Sequence, residues 1–218
     1  MKRIFLASEC FSSHFWQTKK SRIHLQGRII PLNKINHGIP TVDEIRFIVA
    51  TSPIQKLLEA YLLPELMSYC KSKLTKTQRG FISGFSVHHN LKELLDPVNA
   101  NNEVLLVDLK KAFDMVDRSK LYDILKQRSA LSDPSFKLLT FIHSNSTVSI
   151  GSHMTQTTKG VSQGSLISPL LFNIFIATLL QPLSDIGLTL GFADDISCSL
   201  PNQQLLEMAI QKVEDWCT

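Results

Sequence analysis

The chain has 218 residues, of which 44% are hydrophobic and 19% charged, with a net charge of +4. That composition excludes a largely disordered polymer and suits one large domain or two small ones around a sizeable core. The mild basic excess is compatible with a polyanionic partner, and equally with an ordinary soluble surface.

Residues 1–38 carry much of the excess: Lys2, Arg3, Lys19, Lys20, Arg22, Arg28 and Lys34 stand against the single acid Glu9. A phosphate-contacting arm, an organelle-targeting presequence and an arbitrary start within a longer reading frame all share this character. Residues 27–52 alternate short apolar runs with Pro, Gly and Asn, which predicts strand–loop–strand. Residues 52–74 have helical spacing, with Ser52 as N-cap, Pro53 in the first turn and Pro64 predicting a kink or break. A second helix is expected to start near Ser86 and end before Pro97.

"NEVLLVDLKKAFD" (102–114) predicts a buried strand, Val104–Asp108, running into a turn and a helix. "SKLYDILKQRSA" (119–130) is amphipathic, and "DPSFKLLTFIHSNS" (133–146) opens with an Asp-Pro helix start. "STVSIGSHMTQTTKG" (146–160) alternates and turns at Gly151, as a hairpin does. "SPLLFNIFIATLLQPL" (168–183) is an apolar helix opening at Ser168-Pro169. Two short strands around Asp194-Asp195 and a last helix, 202–217, complete an α+β order.

The longest apolar run, 166–180, is interrupted by Pro169 and Asn173 and is too short to span a bilayer. Cys10, Cys70, Cys198 and Cys217 form no CxxC pair, which argues against a zinc module and points to a reducing compartment. The histidines, His88-His89 included, show no HExxH spacing and read as surface or core residues.

Three acids carry the chemical argument. Asp108 ends an apolar strand, and Asp194-Asp195 lie at what reads as a hairpin tip in "LTLGFADDIS" (188–197). With the tip beside the strand end, three carboxylates converge, and their pKa values rise unless cations sit between them. Mg²⁺ suits such a set, because it takes carboxylates and keeps places for substrate phosphates. Two such ions about 4 Å apart clamp the attacking and leaving oxygens of a phosphoryl transfer. The plainer alternative is a solvated turn at Asp194-Asp195, with Asp108 capping the following helix. "KGVSQGSLISP" (159–169) offers glycines at 160 and 164 where backbone can approach a sugar or base. Phe113, five residues after Asp108, stands near the same place, or in the core.

Taken in order, these segments resemble the reverse transcriptases of the group II intron and non-LTR retroelement type. "LLVDLKKAFDMVD" (105–117), "GVSQGSLISPLLFNIFI" (160–176) and "GFADD" (191–195) resemble the three palm motifs. "QRGFISGFSV" (78–87) resembles the fingers segment, and residues 28–59 resemble the N-terminal blocks. The resemblance runs from Gly27 to Trp216 and implies a right-hand polymerase fold, with an antiparallel palm sheet packed on helices. It divides the chain into a basic segment 1–26, fingers with palm-entry helices 27–101, and a palm 102–218.

It further implies RNA-directed DNA synthesis with two Mg²⁺ ions, Mn²⁺ being the alternative, on an RNA template, a DNA primer and deoxynucleoside triphosphates. Asp108 and Asp194 would be the principal metal ligands, with Asp195 the third acid. Phe113 would stand against the sugar 2′ position. Gln163, Gly164 and Ser165 would line the nucleotide and template side, and Arg46, with Lys34, would hold the triphosphate.

Four departures stand out. Phe47 replaces the proline of the usual "RPI", and Phe192 stands where tyrosine is commoner. Arg79 replaces an aromatic and Ile82-Ser83 an Arg-Pro pair, removing one expected template or phosphate contact that Arg79 would partly replace. Lastly, no counterpart of the fourth palm motif, the primer grip or the thumb appears before Thr218. The expectation is therefore the N-terminal part of a longer retroelement protein, its thumb supplied by further domains or a partner. Two rivals stay open: a non-catalytic nucleic-acid-binding relic, and an RNA-dependent RNA polymerase, which would need room at Phe113 for a 2′-hydroxyl. Nucleus, cytoplasm and organelle are equally open.

Overall fold

The computed structural model describes residues 25–33, 40–41 and 44–217. Lys34, Cys10 and nearly all of the basic segment lie outside the described residues. Two strands, β1 (Leu25–Asn33) and β2 (Ile45–Ala50), pair antiparallel, followed by helix α1 (Pro53–Lys73). Ser52 caps α1, its hydroxyl accepting from the Gln55 N–H at 3.1 Å. The helix runs on through Pro64, so of the kink or break expected there no break occurs. Leu62, Leu66 and Cys70 are fully buried along one face, and that packing outweighs the hydrogen bond a proline removes. Helix α2 (Val87–Asn99) likewise passes Pro97, which sits in its last turn.

Strand β3 (Glu103–Asp108) is where a buried strand is expected, but none of its residues is buried and Leu106 is exposed; it leads through a tight turn into α3 (Arg118–Gln127), then α4 (Asp133–Asn145). The hairpin of β4 (Ser146–Ile150) and β5 (His153–Gln156) turns at Gly151, whose φ is +56°. Helix α5 (Ser168–Ser184) precedes the hairpin of β6 (Leu188–Phe192) and β7 (Asp195–Leu200), and α6 (Gln203–Cys217) follows.

Two sheets result, ordered β2-β1-β4-β5 and β3-β7-β6. The second is antiparallel throughout, whereas β1 pairs with β4 in parallel, so residues 146–156 share a sheet with the first two strands. Helix α5 is the centre of the core. It packs on α1, α3, α6 and β6, and Leu171, Phe172, Ile174, Ala177, Leu180 and Leu183 are all buried. Each buried Leu, Ile or Phe among them stabilises the fold by about 1.5–3 kcal/mol. The fold is α+β, as the sequence predicts. Among the described residues no helix is long and apolar enough to cross a membrane.

Candidate active site

The two acidic segments meet at one end of the three-stranded sheet. In the β3–β7 ladder Asp108 stands directly opposite Asp195, and Phe192 faces Asp195 across the β6–β7 turn. Directly opposed residues share a face, so the Asp108 and Asp195 carboxylates lie side by side, both exposed. Like charges in that position repel, and no ion pair among the described residues involves either one.

Asp194 is different: it sits in the two-residue turn and is half-buried. Successive residues of a strand point to opposite faces, so adjacent acids do not simply join a third one on the same side. Among the described residues no group of three or more His, Cys, Asp or Glu side chains is placed to hold a metal ion. The donors present at Asp108 and Asp195 are all oxygen, which fits a hard divalent cation shared with phosphates, in the class of Mg²⁺ or Mn²⁺.

Around this pair the backbone is tightly tied. The turn after β3 places Phe113 flat against Phe172, centroids 4.7 Å apart, with the Phe81 ring edge-on at 6.1 Å. The Val161 N–H donates to the Phe113 carbonyl at 2.9 Å, and the Gly160 N–H to the Val116 carbonyl at 2.8 Å. A Cβ on Gly160 would lie 2.8 Å from the Asp114 carbonyl oxygen, so only glycine fits there. Arg118 locks the same loop, donating from Nε to the Gly160 carbonyl at 2.8 Å and from Nη1 to the Thr157 carbonyl. Burial holds the Arg118 guanidinium pKa below its usual value, opposed by Tyr122. The segment after Asp108 and the 160–164 loop are therefore tied to each other by these hydrogen bonds.

That loop also touches β2. The Val49 N–H donates to the Gln163 carbonyl at 2.6 Å, and Gly164, at φ +114°, leaves no room for a Cβ beside the Val49 carbonyl. Ser165 is buried, its hydroxyl accepting from the N–H groups of Ile167 and Ser168 just at the start of α5. Glu59 in α1 is also buried and accepts from the Leu166 N–H at 2.8 Å and from Gln55 Nε2 at 2.7 Å. Arg46, on β2 opposite Leu32, is exposed, and its side chain makes no hydrogen bond to a described residue.

Arg79, in contrast, does not face outward as a substitute phosphate contact would. It is buried, and its donors go to the Thr75 carbonyl at 3.1 Å, Asn90 Oδ1 at 3.2 Å and Glu93 Oε1 at 2.8 Å, with the guanidinium over the Phe85 ring. Beside it, Gln78 reaches the Ala193 backbone. The sequence reading missed Gln78, Arg118 and Glu59. The "QRGF" segment drew attention to Arg79, whereas the adjacent glutamine is the residue that touches the acidic turn.

The buried thiols of Cys70 and Cys198 are raised by desolvation, Cys70 to about 12. His143 stacks on Tyr122 and bonds its hydroxyl at 2.7 Å; burial, helped by Arg118, pushes its pKa down to about 3.

Residues 33–218 match the family model described as reverse transcriptase (RNA-dependent DNA polymerase). A retrovirus-related Pol polyprotein from the type-1 retrotransposable element R2 of Popillia japonica is 30% identical over 196 residues, covering 78% of this chain and 27% of that protein. A putative COX1/OXI3 intron 2 protein of Saccharomyces cerevisiae is 26% identical over 131 residues, covering 59% of this chain and 15% of its own. The chain thus spans well under two thirds of these relatives. Telomerase from Candida albicans, solved with a TWJ fragment of telomeric RNA, superposes with a TM-score of 0.64 at 11% identity, over 88% of this chain and 39% of that one. Apo telomerase from Candida tropicalis, truncated from its C-terminal domain, gives 0.59 at 15% identity, over 90% and 47%. At these identities the likeness speaks for the fold alone.

Proposed function

Because the chain belongs to the reverse transcriptase (RNA-dependent DNA polymerase) family, we propose that the end of the β3-β7-β6 sheet is a site of template-directed DNA synthesis on RNA. The supporting observation is the direct opposition of Asp108 and Asp195, exposed and without a cationic partner among the described residues. In the reaction the primer 3′-hydroxyl oxygen bonds to the α-phosphorus of a deoxynucleoside triphosphate, its proton is lost, and pyrophosphate leaves.

The family works with divalent metal; Mg²⁺ is the ion proposed here, on Asp108, Asp194 and Asp195. Bound there, it would neutralise the charge that develops on the phosphate oxygens. Asp108 and Asp195 supply fixed negative charge at one edge of the site. Arg46 holds the triphosphate; its guanidinium is exposed on a strand tied to the 163–164 loop. Phe113, braced by Phe172, sets how much room the sugar 2′ position has. Gln163 and Gly164 present backbone to the nucleotide and template, and Ser165 supports them by accepting from the N–H groups at the start of α5. Fingers at 27–101 and palm at 102–218 remain our division of the chain. Further domains of a longer protein, or a partner, would help to hold the duplex.

Incorporation of deoxynucleotides on an RNA template with Mg²⁺, lost in Asp194→Ala and Asp195→Ala, is the expected result. Activity that survives both substitutions would sink the reading. Salt-sensitive RNA binding without incorporation would instead favour a binding relic, and a preference for ribonucleotides an RNA polymerase.

A further inference from the structure

None of the three acids draws a side-chain hydrogen bond from a described residue, so their positions are set by backbone alone. That backbone has an unusual bend. Ala193, immediately before Asp194, has a φ of +60°, in the left-handed region that an alanine occupies only when its surroundings fix it there.

The surroundings are three anchors that converge on this turn. Residues 77–79 add to the edge of β6, with the Arg79 N–H donating to the Gly191 carbonyl at 3.0 Å and the Gly191 N–H to the Thr77 carbonyl. Asn90 of α2 donates to the same Gly191 carbonyl at 3.1 Å. Asn173 of α5 donates to the Gly80 carbonyl at 2.7 Å, and Gly80 abuts the turn so closely that a Cβ would sit 2.2 Å from the Ala193 nitrogen. At the centre lies Gln78, fully buried. Its Nε2 donates to the Ala193 carbonyl at 2.9 Å, while its Oε1 accepts from the N–H groups of Ala193 at 3.1 Å and Gly80 at 2.9 Å.

We propose that Gln78 is the positioning residue of the acidic turn: its amide grips both backbone groups of Ala193 and so sets where Asp194 and Asp195 stand relative to Asp108. Its part in the reaction rests on the functional reading above; its grip on the turn does not. Only a primary amide meets this site. A carboxylate keeps the acceptor and loses the donor, and a thioether of the same length supplies no donor and only a weak acceptor.

The test compares the wild-type chain with Gln78→Met and Gln78→Glu, measuring hydrogen exchange residue by residue, Mn²⁺ binding by water-proton relaxation, and steady-state extension. In Gln78→Met, exchange at the Ala193 and Gly80 amides should quicken at least about tenfold while the amides of α5 keep their wild-type rates. The Mn²⁺ dissociation constant should rise by a similar factor, and kcat should fall with KM for the nucleotide unchanged. Gln78→Glu should retain part of the protection at Ala193, through the acceptor it keeps. Wild-type exchange at Ala193 in Gln78→Met would overturn the proposal, as would exchange raised equally throughout α5, the mark of global destabilisation. A wild-type chain that neither binds Mn²⁺ nor extends a primer would overturn the functional reading, while the exchange rates would still decide the grip.

Discussion

Arg79 and Arg46 put the same side chain to opposite uses. Around Arg79 every donor group is turned inward, onto Thr75, Asn90 and Glu93, and the neighbouring Gln78 and Asn90 continue that network to the acidic turn. On β2, the Arg46 side chain stands in solvent with no hydrogen bond to a described residue, and the Asp108 and Asp195 side chains at the end of the other sheet do the same. Buried polar groups are affordable only when paired, so the first region is committed to holding shape. The second carries charges that nothing in the described fold neutralises, which is what a site for a charged ligand requires. Polar residues here thus separate by whether their partners are internal, not by their chemical type.

The comparison would break most visibly at the acids. Asp195→Asn should lower primer extension by roughly 10³-fold, since a metal-stabilised phosphoryl transfer depends on several kcal/mol of charge stabilisation. The melting temperature should not fall, because an exposed charge facing a like charge is removed. A clear fall in melting temperature would mean that the acid end supports the fold.

Arg79→Met should do the reverse. It leaves the Asn90 oxygen and the Thr75 carbonyl without their donor and should cost about 2–3 kcal/mol of stability by denaturant unfolding. Arg46→Ala sharpens the contrast: unfolding within about 0.5 kcal/mol of wild type, but a nucleotide KM raised about tenfold, the scale of one charge-assisted hydrogen bond. Equal stability losses in the two arginine variants would erase the distinction.

The smallest effect at neutral pH concerns His143. Its folded-state pKa is lowered from 6.5 to about 3, so between those values the unfolded chain binds a proton that the folded chain does not. Stability should therefore be fully present above pH 6.5 and decline as pH falls through that window. His143→Gln should flatten the decline in urea melts taken from pH 7 to pH 4, with little change at pH 7.

Much of the architecture was legible because it is local. Ser52 capping α1, the apolar run ending at Asp108, and Gly151 at a hairpin turn are each set by neighbours a few residues away. Helix length past the prolines is not local: the burial of Leu62, Leu66 and Cys70 that carries α1 unbroken past Pro64 comes from tertiary packing. The parallel pairing of β1 with β4, joining Leu25 to Ser146, has no local signature. Within the site, the ordered motifs pointed to Asp108 and Asp194-Asp195, but not to strand register, which puts Asp195 rather than Asp194 opposite Asp108. Gln78 was out of reach altogether, because its partner at Ala193 is 115 positions away.

On the proposed function, the opposed Asp108 and Asp195 carboxylates hold a divalent cation for phosphoryl transfer. Mn²⁺ titration of the wild-type chain, Asp108→Asn, Asp195→Asn and Arg46→Ala, followed by water-proton relaxation, tests it most directly. Each acid variant should bind at least about tenfold more weakly, since each removes one of the few carboxylates available to the ion, while Arg46→Ala should bind as wild type does. Equal affinity in all four chains would contradict it.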